Sequence, residues 1–279
     1  MSMAATQKVT LQVENISDNI GARVLNSKDE LLSGELGPEL RELLEQRGVL
    51  VLPEINFTDD EQVIFTEQLG EFMPELQGQK VFNISLDKEK NPNRDYLKGS
   101  LYWHIDGTMN QAPIGAAVLS SKVLPTWGGN TEFCNTYAAY DALPQETKDQ
   151  IENLKVKHSM WNTLMYHTPE PSKAELEGYM ARGEVELPLV WTHQSGRKSL
   201  VLGNTAMRVI GVSDMESALL LHGLREFATS EPFHYAHEWK LGDAVIWDNT
   251  GTMHRAMPYD PDCGRLLHRT KTAGVEPIV

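Results

Sequence analysis

Most of the chain beyond residue 100 consists of short runs in which hydrophobic and polar positions alternate, which is the pattern of half-buried β-strands. Gly, Ser and Pro turns separate these runs, and the QSGR turn at 194–197 predicts a hairpin. The predicted strands are AAVLSS (116–121), EFCNT (132–136), KVKHS (155–159), LVWTH (189–193), KSLVLG (198–203), AVIWDN (244–249) and MHRAM (253–257). Strands this short, joined by turns, favour a β-sandwich or jelly roll over a βαβ fold.

Helical patterns interrupt the strands. PELRELLEQRG at 38–48 predicts a helix that ends at Gly48, and a capping box of Thr58 with Glu61 begins another that runs to Leu69. The other predicted elements are helices at about 137–154 and 214–228 and strands at 9–15 and 49–53. The predicted fold class is therefore mainly β with helical insertions.

Residues 160–187 depart from this pattern, because they are polar, interrupted by proline and only weakly helical in their second half. A long insertion of this kind in a compact domain is often a lid or a binding loop. We interpret the segment as a lid, and a surface excursion without function is the alternative. The chain shows no internal repeat or linker, so residues 1–279 are expected to form a single domain.

Composition narrows the class of protein. The formal net charge is −14, and no run rich in Lys or Arg is present, so a nucleic acid or an anionic membrane surface is not expected as a partner. No apolar run approaches the 18 or more residues of a membrane span, and the start lacks a secretion signal. The expected location is the cytoplasm. The two cysteines, Cys134 and Cys263, are expected to be free thiols.

The stretch LYWHIDGTM at 101–109 reads as an apolar strand that carries two polar side chains, His104 and Asp106. Residues two apart on a strand point to the same face. Alone, such a pair is more typical of a buried hydrogen bond than of a metal site. With His254 it completes the two-histidine, one-carboxylate set of non-haem Fe(II) oxygenases, although the same set can hold a catalytic zinc.

Two arginines follow in GRLLHRTKT, which alternates as a strand does. Arg265 and Arg269 are four residues apart and can project to one side. A buried arginine keeps its charge and requires an anionic partner, and a carboxylate held by two parallel hydrogen bonds is the expected one. An ordinary surface ion pair is the alternative.

The order of these residues resembles the Fe(II)/2-oxoglutarate-dependent dioxygenases of the taurine and 2,4-dichlorophenoxyacetate dioxygenase (TauD/TfdA) family. The blocks that carry the resemblance span nearly the whole chain: IGARVL (20–25), WHIDGT (103–108), GGNTEFCNTYAAYDALP (128–144), THQSGRKSL (192–200) and WDNTGTMHRA (247–256). The resemblance implies a double-stranded β-helix, which is a cupin-like jelly roll. It also implies a homo-oligomer, either a dimer or a tetramer.

The resemblance further implies roles for individual residues. His104, Asp106 and His254 would ligate Fe(II), and Arg265 with Thr131 would bind the distal carboxylate of 2-oxoglutarate. Arg269 would hold the anionic end of the substrate. The implied reaction consumes O₂ and 2-oxoglutarate, releases succinate and CO₂, and hydroxylates a C–H bond; C–O or C–S cleavage follows where that carbon bears a heteroatom.

Two departures from the taurine enzymes bear on the substrate. LGEFMPELQ at 69–77 lacks the histidines of those enzymes, and Ser100 stands where they place an asparagine. Ser100 and Tyr102 are therefore expected to contact a different small organic acid, with an apolar or aromatic body and an anionic end. Two alternatives remain open from the residues: a zinc-dependent lyase or hydrolase, and a non-catalytic jelly-roll binding protein.

Overall fold

The computed structural model describes residues 9–75, 78–91 and 94–279, without the side chains of Asp95 and Tyr96. Its strands are β1 Val13–Asn15, β2 Ala22–Val24, β3 Val49–Leu52, β4 Phe82–Ile84, β5 Ala116–Val123, β6 Thr131–Asn135, β7 Lys155–Ser159, β8 Glu184–Pro188, β9 Val190–Thr192, β10 Lys198–Leu200, β11 Ala206–Val209, β12 His234–His237, β13 Ala244–Asp248, β14 Thr252–Ala256 and β15 Leu266–Lys271. Its α-helices are α1 Lys28–Leu32, α2 Gly37–Arg47, α3 Asp59–Glu67, α4 Thr136–Ala142, α5 Gln145–Ile151, α6 Met160–His167, α7 Lys173–Met180 and α8 Asp214–Ala228.

Two sheets face each other and enclose the central core. The larger sheet has the strand order β1-β2-β3-β13-β5-β15-β4, and the smaller one has the order β12-β6-β14. Between them Trp247 of β13 contacts Phe133 of β6, with ring centroids 5.7 Å apart. Both side chains are almost fully buried, and the predicted jelly roll is confirmed.

The outer faces of both sheets are also covered. Along β13, Val245 and Trp247 point into the space between the sheets, while Ala244 and Ile246 point the other way and pack with buried residues of α1, α2 and α3. This alternation follows from the two-residue period of a strand. The outer face of the smaller sheet packs on α4, α8 and the short strands β7 and β9–β11. The site described below lies between the two sheets.

Several local sequence signals are confirmed. Gly48, with φ of 70°, ends α2, and capping boxes begin α3 and α8. The QSGR turn joins the antiparallel pair β9–β10. The single helix predicted at about 137–154 is wrong: it is two helices, α4 and α5, since Pro144 cannot continue a helix from α4. The strand predicted at 9–15 is shorter and comprises only β1.

The segment 160–187 contains more regular structure than its composition indicated. The expectation of weak helicity in the second half alone is wrong, because α6 occupies the first half and begins at the capping side chain of Ser159. A capping box of Ser172 and Glu175 begins α7, which has no buried residue. Strand β8 then pairs with β7. The segment therefore forms an ordered outer layer, and its role as a lid stays a prediction.

No helix in the parts of the chain that the structure describes is both long and apolar enough to cross a membrane. Both cysteines are free thiols, as expected.

Candidate metal centre

Three side chains that are far apart in the sequence meet between the two sheets. Nε2 of His104 lies 3.6 Å from Oδ1 of Asp106, and Nε2 of His254 lies 3.8 Å from Oδ2 of the same carboxylate. One ligand atom from each residue lies within 4.8 Å of the other two. Two donors bound to one ion at about 2.1 Å each cannot be more than about 4.2 Å apart, so both carboxylate–imidazole distances suit a shared ion.

The backbone itself places the two histidines opposite each other. His104 and His254 form an isolated antiparallel bridge, in which each N–H donates to the other's carbonyl at 3.1 and 3.0 Å. The prediction of a strand at 101–109 is wrong, because a 3₁₀ helix precedes it at Arg94–Leu101 and the chain turns at Gly107, which has φ of 75°. Only the single bridge remains, and it is sufficient to place the first ligand.

Asn249 fixes the position of Asp106, and the sequence interpretation had assigned it no role. Its Oδ1 accepts the backbone N–H of Asp106 at 2.9 Å, and its Nδ2 donates to the carbonyls of Asp106 at 2.9 Å and Ile114 at 3.0 Å. The side chain is fully buried directly after β13. A polar residue that ends a buried strand requires partners, so its position in AVIWDN was the available signal.

The imidazole rings are oriented for metal binding. Nδ1 of His104 donates to the carbonyl of Tyr102 at 2.9 Å, which leaves the lone pair on Nε2, the atom that faces Asp106. The ring of His254 packs against Trp247, with centroids 4.6 Å apart, and against His104 at 4.1 Å. Its buried Nδ1 has no hydrogen-bond partner among the described residues.

The charges also favour a cation. Burial acts to raise the pKa of Asp106, but the positive charge of Arg269 and the nearby imidazoles lower it to about 2. Burial and the neighbouring His104 hold the pKa of His254 well below its usual range. An ionised carboxylate with a neutral imidazole is the form that binds metal. Two nitrogen donors, one oxygen donor and no thiolate match the facial set that holds non-haem Fe(II).

A cluster of charged side chains borders the carboxylate of Asp106. Nη1 of Arg269 donates to Oδ2 of Asp106 at 3.0 Å, while its Nε and Nη2 donate to Glu75 at 3.1 and 3.3 Å. Nζ of Lys271 donates to the same Glu75 at 2.9 Å. The structure therefore places Arg269 beside Asp106 and gives it an internal carboxylate partner, Glu75, that the sequence interpretation missed; its role in binding the substrate stays a prediction.

Arg265, just before β15, is 1% exposed. Its Nη2 donates to the carbonyl of Gly129 at 2.8 Å, its guanidinium lies 4.5 Å from the ring centroid of Tyr259, and its Nε has no partner. No carboxylate pairs with it within the described ranges. Thr131 begins β6 two residues after Gly129, and its Oγ1 accepts the indole N–H of Trp239 at 3.0 Å.

The two predicted substrate contacts lie just before His104. The Tyr102 ring packs against Tyr166 of α6, with centroids 5.1 Å apart, so segment 160–187 contacts the chain just before His104. The Ser100 hydroxyl donates to the Leu97 carbonyl at 2.6 Å inside the 3₁₀ helix. Both side chains are half-buried.

A Ser–His–Glu arrangement also occurs away from this site. Nδ1 of His193 lies 2.7 Å from Glu276, and its Nε2 lies 2.8 Å from Oγ of Ser199. Ser199 is 1% exposed, and its hydroxyl also lies 3.2 Å from the carbonyl of Thr250. A nucleophile must reach its substrate, so this arrangement serves the packing of the β9–β10 hairpin.

Known proteins share this architecture. The family model described as "Taurine catabolism dioxygenase TauD, TfdA family" matches residues 12–271. An (S)-phenoxypropionate/alpha-ketoglutarate-dioxygenase from Sphingobium herbicidovorans is 35% identical over 81% of this chain and 82% of its own length. The alpha-ketoglutarate-dependent 2,4-dichlorophenoxyacetate dioxygenase of Cupriavidus pinatubonensis is 34% identical over 90% of this chain and 93% of its own.

A solved structure agrees with these relatives. AAD-2 in complex with Mn(II) and N-oxalylglycine is similar with a TM-score of 0.81 at 32% identity, covering 97% of this chain and 100% of that one. These relatives favour the dioxygenase interpretation over the zinc enzyme and the non-catalytic binding protein. The chain belongs to the TauD/TfdA family, and its reaction class is that of an Fe(II)- and 2-oxoglutarate-dependent dioxygenase.

Proposed function

We propose that this dioxygenase hydroxylates a small organic acid that has an apolar or aromatic body and one anionic end. The proposal is carried by two features of one domain: the buried guanidinium of Arg265, which has no carboxylate partner among the described residues, and the cluster of His104, Asp106 and His254, which could hold a metal ion. A buried, unpaired charge is strongly destabilising. An anionic co-substrate that binds there would remove this penalty.

His104, Asp106 and His254 are the residues that would hold the iron. When bound, the iron supplies the oxidative chemistry in which O₂ and 2-oxoglutarate become succinate and CO₂ and a substrate C–H becomes C–OH. The chain's own contribution is to orient the donors: Tyr102 fixes the His104 ring through its carbonyl, and Asn249 fixes the Asp106 backbone.

Arg265 and Thr131 would bind the distal carboxylate of 2-oxoglutarate. Because the indole of Trp239 donates to Oγ1 of Thr131, the hydroxyl proton of Thr131 is free to donate to a carboxylate oxygen. The unpartnered Nε of Arg265 offers a second donor, and a guanidinium can make two parallel bonds to a carboxylate. Both residues are buried, so the interaction would be shielded from water and salt.

The prime substrate would bind beside Asp106 and Arg269. Arg269 is partly exposed there, and it would provide the positive charge for an incoming acid. Tyr102, stacked on Tyr166, provides an aromatic wall, and Ser100 lies at the start of the same approach. An aryloxy or alkyl acid hydroxylated next to oxygen or sulfur would then lose that C–O or C–S bond.

Succinate formation tests the proposal. The Fe(II)-loaded protein is incubated with 2-oxoglutarate, O₂ and a panel that contains 2,4-dichlorophenoxyacetate, (S)-2-phenoxypropionate, an alkylsulfonate and taurine. We expect substrate-stimulated succinate with at least one aryloxy or alkyl acid and little with taurine. Absence of 2-oxoglutarate binding to the metal-loaded protein, or equal succinate formation with Zn(II), would refute it.

The proposal extends to the whole protein. A single domain over 1–279, a location in the cytoplasm and assembly into a dimer or tetramer are part of it, and light scattering after size-exclusion chromatography checks the assembly. The net charge of −14 supports a small-molecule substrate over a polyanionic partner.

A further inference from the structure

Glu75 reaches the metal side of the site because of how its segment joins the larger sheet. The N–H of Met73 donates to the carbonyl of Lys271 at 3.0 Å, whereas Phe82 pairs with Arg269. Met73 therefore lies along β15 beside Lys271, and Phe82 lies along it beside Arg269. Glu75 follows Met73 by two residues, and its carboxylate contacts both basic side chains.

Its carboxylate is buried and fully engaged with positive charge. The Glu75 side chain is 2% exposed, and it accepts two hydrogen bonds from Arg269 and one from Lys271. Arg269 in turn donates to Asp106. The four side chains carry two negative and two positive charges, so the cluster is neutral as a whole.

Because the cluster is neutral, the other charged groups of the site determine which charge on the prime substrate is favoured. This inference rests on the function proposed above. A divalent metal ion and the 2-oxoglutarate dianion cancel each other, and imidazole side chains bind a metal ion in their neutral form. Arg265 is then the one uncompensated charge among these groups. One further negative charge balances the site, whereas a second would be buried without compensation, which is unfavourable.

We propose that Glu75 is a specificity-determining residue that restricts the prime-substrate site to monoanions. By occupying two of the guanidinium N–H groups of Arg269, it also leaves fewer donors for the substrate. Without the Glu75 charge the site would be more positive by one unit. It would then accept a dianion in place of a monoanion.

Three probes of nearly equal shape test this: phenoxyacetamide (neutral), phenoxyacetate (monoanion) and phenoxymethylphosphonate (a dianion at pH 8.5). Their dissociation constants are measured anaerobically on the protein loaded with Fe(II) and 2-oxoglutarate. The wild-type protein should bind phenoxyacetate most tightly. In Glu75→Gln, affinity for the phosphonate relative to phenoxyacetate should rise by on the order of tenfold, the scale of one nearby charge in a partly screened site.

A charge-restoring variant separates charge from shape. Glu75→Gln combined with Lys271→Gln returns the cluster to neutrality and should restore the wild-type preference for the monoanion. Persistence of the altered preference in the double variant would overturn the proposal, as would an unchanged preference in Glu75→Gln or no phenoxyacetate binding by the wild type.

The dissociation constant of 2-oxoglutarate itself is the internal reference. It should change by less than about threefold in both variants, because Arg265 and Thr131 are untouched. Loss of 2-oxoglutarate binding by the wild-type protein would count against the proposed function, whereas normal 2-oxoglutarate binding with unaltered probe selectivity in Glu75→Gln would count against the role of Glu75 alone.

Discussion

Replacing Arg265 by methionine should greatly weaken binding of 2-oxoglutarate without unfolding the protein. The guanidinium is 1% exposed and lacks a carboxylate partner among the described residues, so the free protein keeps a charge in a poorly solvated place. In keeping with this, burial lowers the pKa of Arg265, an effect that the nearby Tyr259 partly offsets. Methionine fills a similar volume with a flexible apolar chain.

The magnitudes follow from these contacts. The variant loses the hydrogen bond to the Gly129 carbonyl and the contact with Tyr259, at a cost of about 1–3 kcal/mol. It also removes a buried charge, and apolar replacement of buried ionic groups is often neutral or stabilising by about 1–4 kcal/mol. We therefore expect the free energy of unfolding of the ligand-free protein to lie within about 2 kcal/mol of wild type.

Ligand-induced stabilisation should change far more. A ligand at 100 times its dissociation constant stabilises the fold by about 2.7 kcal/mol. Loss of a buried charge pair costs about 2–5 kcal/mol of binding, and each 1.4 kcal/mol is about a tenfold change in the dissociation constant. At the same 2-oxoglutarate concentration, the stabilisation of Arg265→Met should fall below about 1 kcal/mol.

Urea unfolding with Mn(II), with and without 2-oxoglutarate, measures both quantities and avoids turnover. Arg197→Met is a matched control, because the Arg197 guanidinium also lies over a tyrosine ring, Tyr137, at 3.9 Å and also donates to a backbone carbonyl, that of Glu45. It should retain full stabilisation by 2-oxoglutarate. A ligand-free Arg265→Met protein destabilised by more than about 4 kcal/mol, or one still stabilised by 2-oxoglutarate, would refute the reasoning.

Three further predictions concern positioning, acid sensitivity and packing. Asn249→Ala removes three hydrogen bonds and leaves the buried N–H of Asp106 unpaired. The free energy of unfolding in urea should therefore fall by about 3 kcal/mol, and the affinity for Mn(II) should fall about 10- to 100-fold. Unchanged Mn(II) affinity would contradict this. Burial lowers the pKa of His158 to about 4, so the unfolded chain takes up its proton first as the pH falls from about 6.5, and stability should drop by about 1.4 kcal/mol per pH unit down to about 4. His158→Gln should remove that part of the slope in urea unfolding measured between pH 7 and 4.5, and an identical slope would disprove the assignment. In Gly251→Ala a Cβ would lie 1.7 Å from the Tyr137 ring, so the thermal midpoint should fall in keeping with a loss of about 1–3 kcal/mol, and a wild-type midpoint would show that the ring moves freely.

The sequence was most informative where local chemistry determines the structure. Two-residue alternation placed most strands, and capping boxes placed the starts of α3 and α8, because these signals act over a few residues. It failed at 101–109, where apolar alternation suggested a strand. A long-range backbone bridge, a 3₁₀ helix and a left-handed glycine decide the conformation there.

The same contrast applies to the site. His104, Asp106 and His254 were found through their residue types and their order along the chain. Asn249 and Glu75 act through partners elsewhere in the chain. The position of Asn249 at the end of a buried strand was a weak local signal, and Glu75 has none. Nothing in the sequence distinguishes Glu75 among the 39 acidic residues. Its role depends on the fold, in which Met73 bonds to Lys271 of β15 and so brings Glu75 to the basic residues.

The backbone bridge between His104 and His254 also determines how differently a metal ion binds the folded and the unfolded chain. About 150 residues separate the two positions, and closing a flexible loop of that length in the unfolded chain costs about 4 kcal/mol of entropy. In the folded chain the backbone bridge already holds the two histidines together. A metal ion should therefore bind the folded chain far more tightly than the unfolded chain, and a chelator should lower the free energy of unfolding by nearly the whole stabilisation that the bound ion provides at its free concentration.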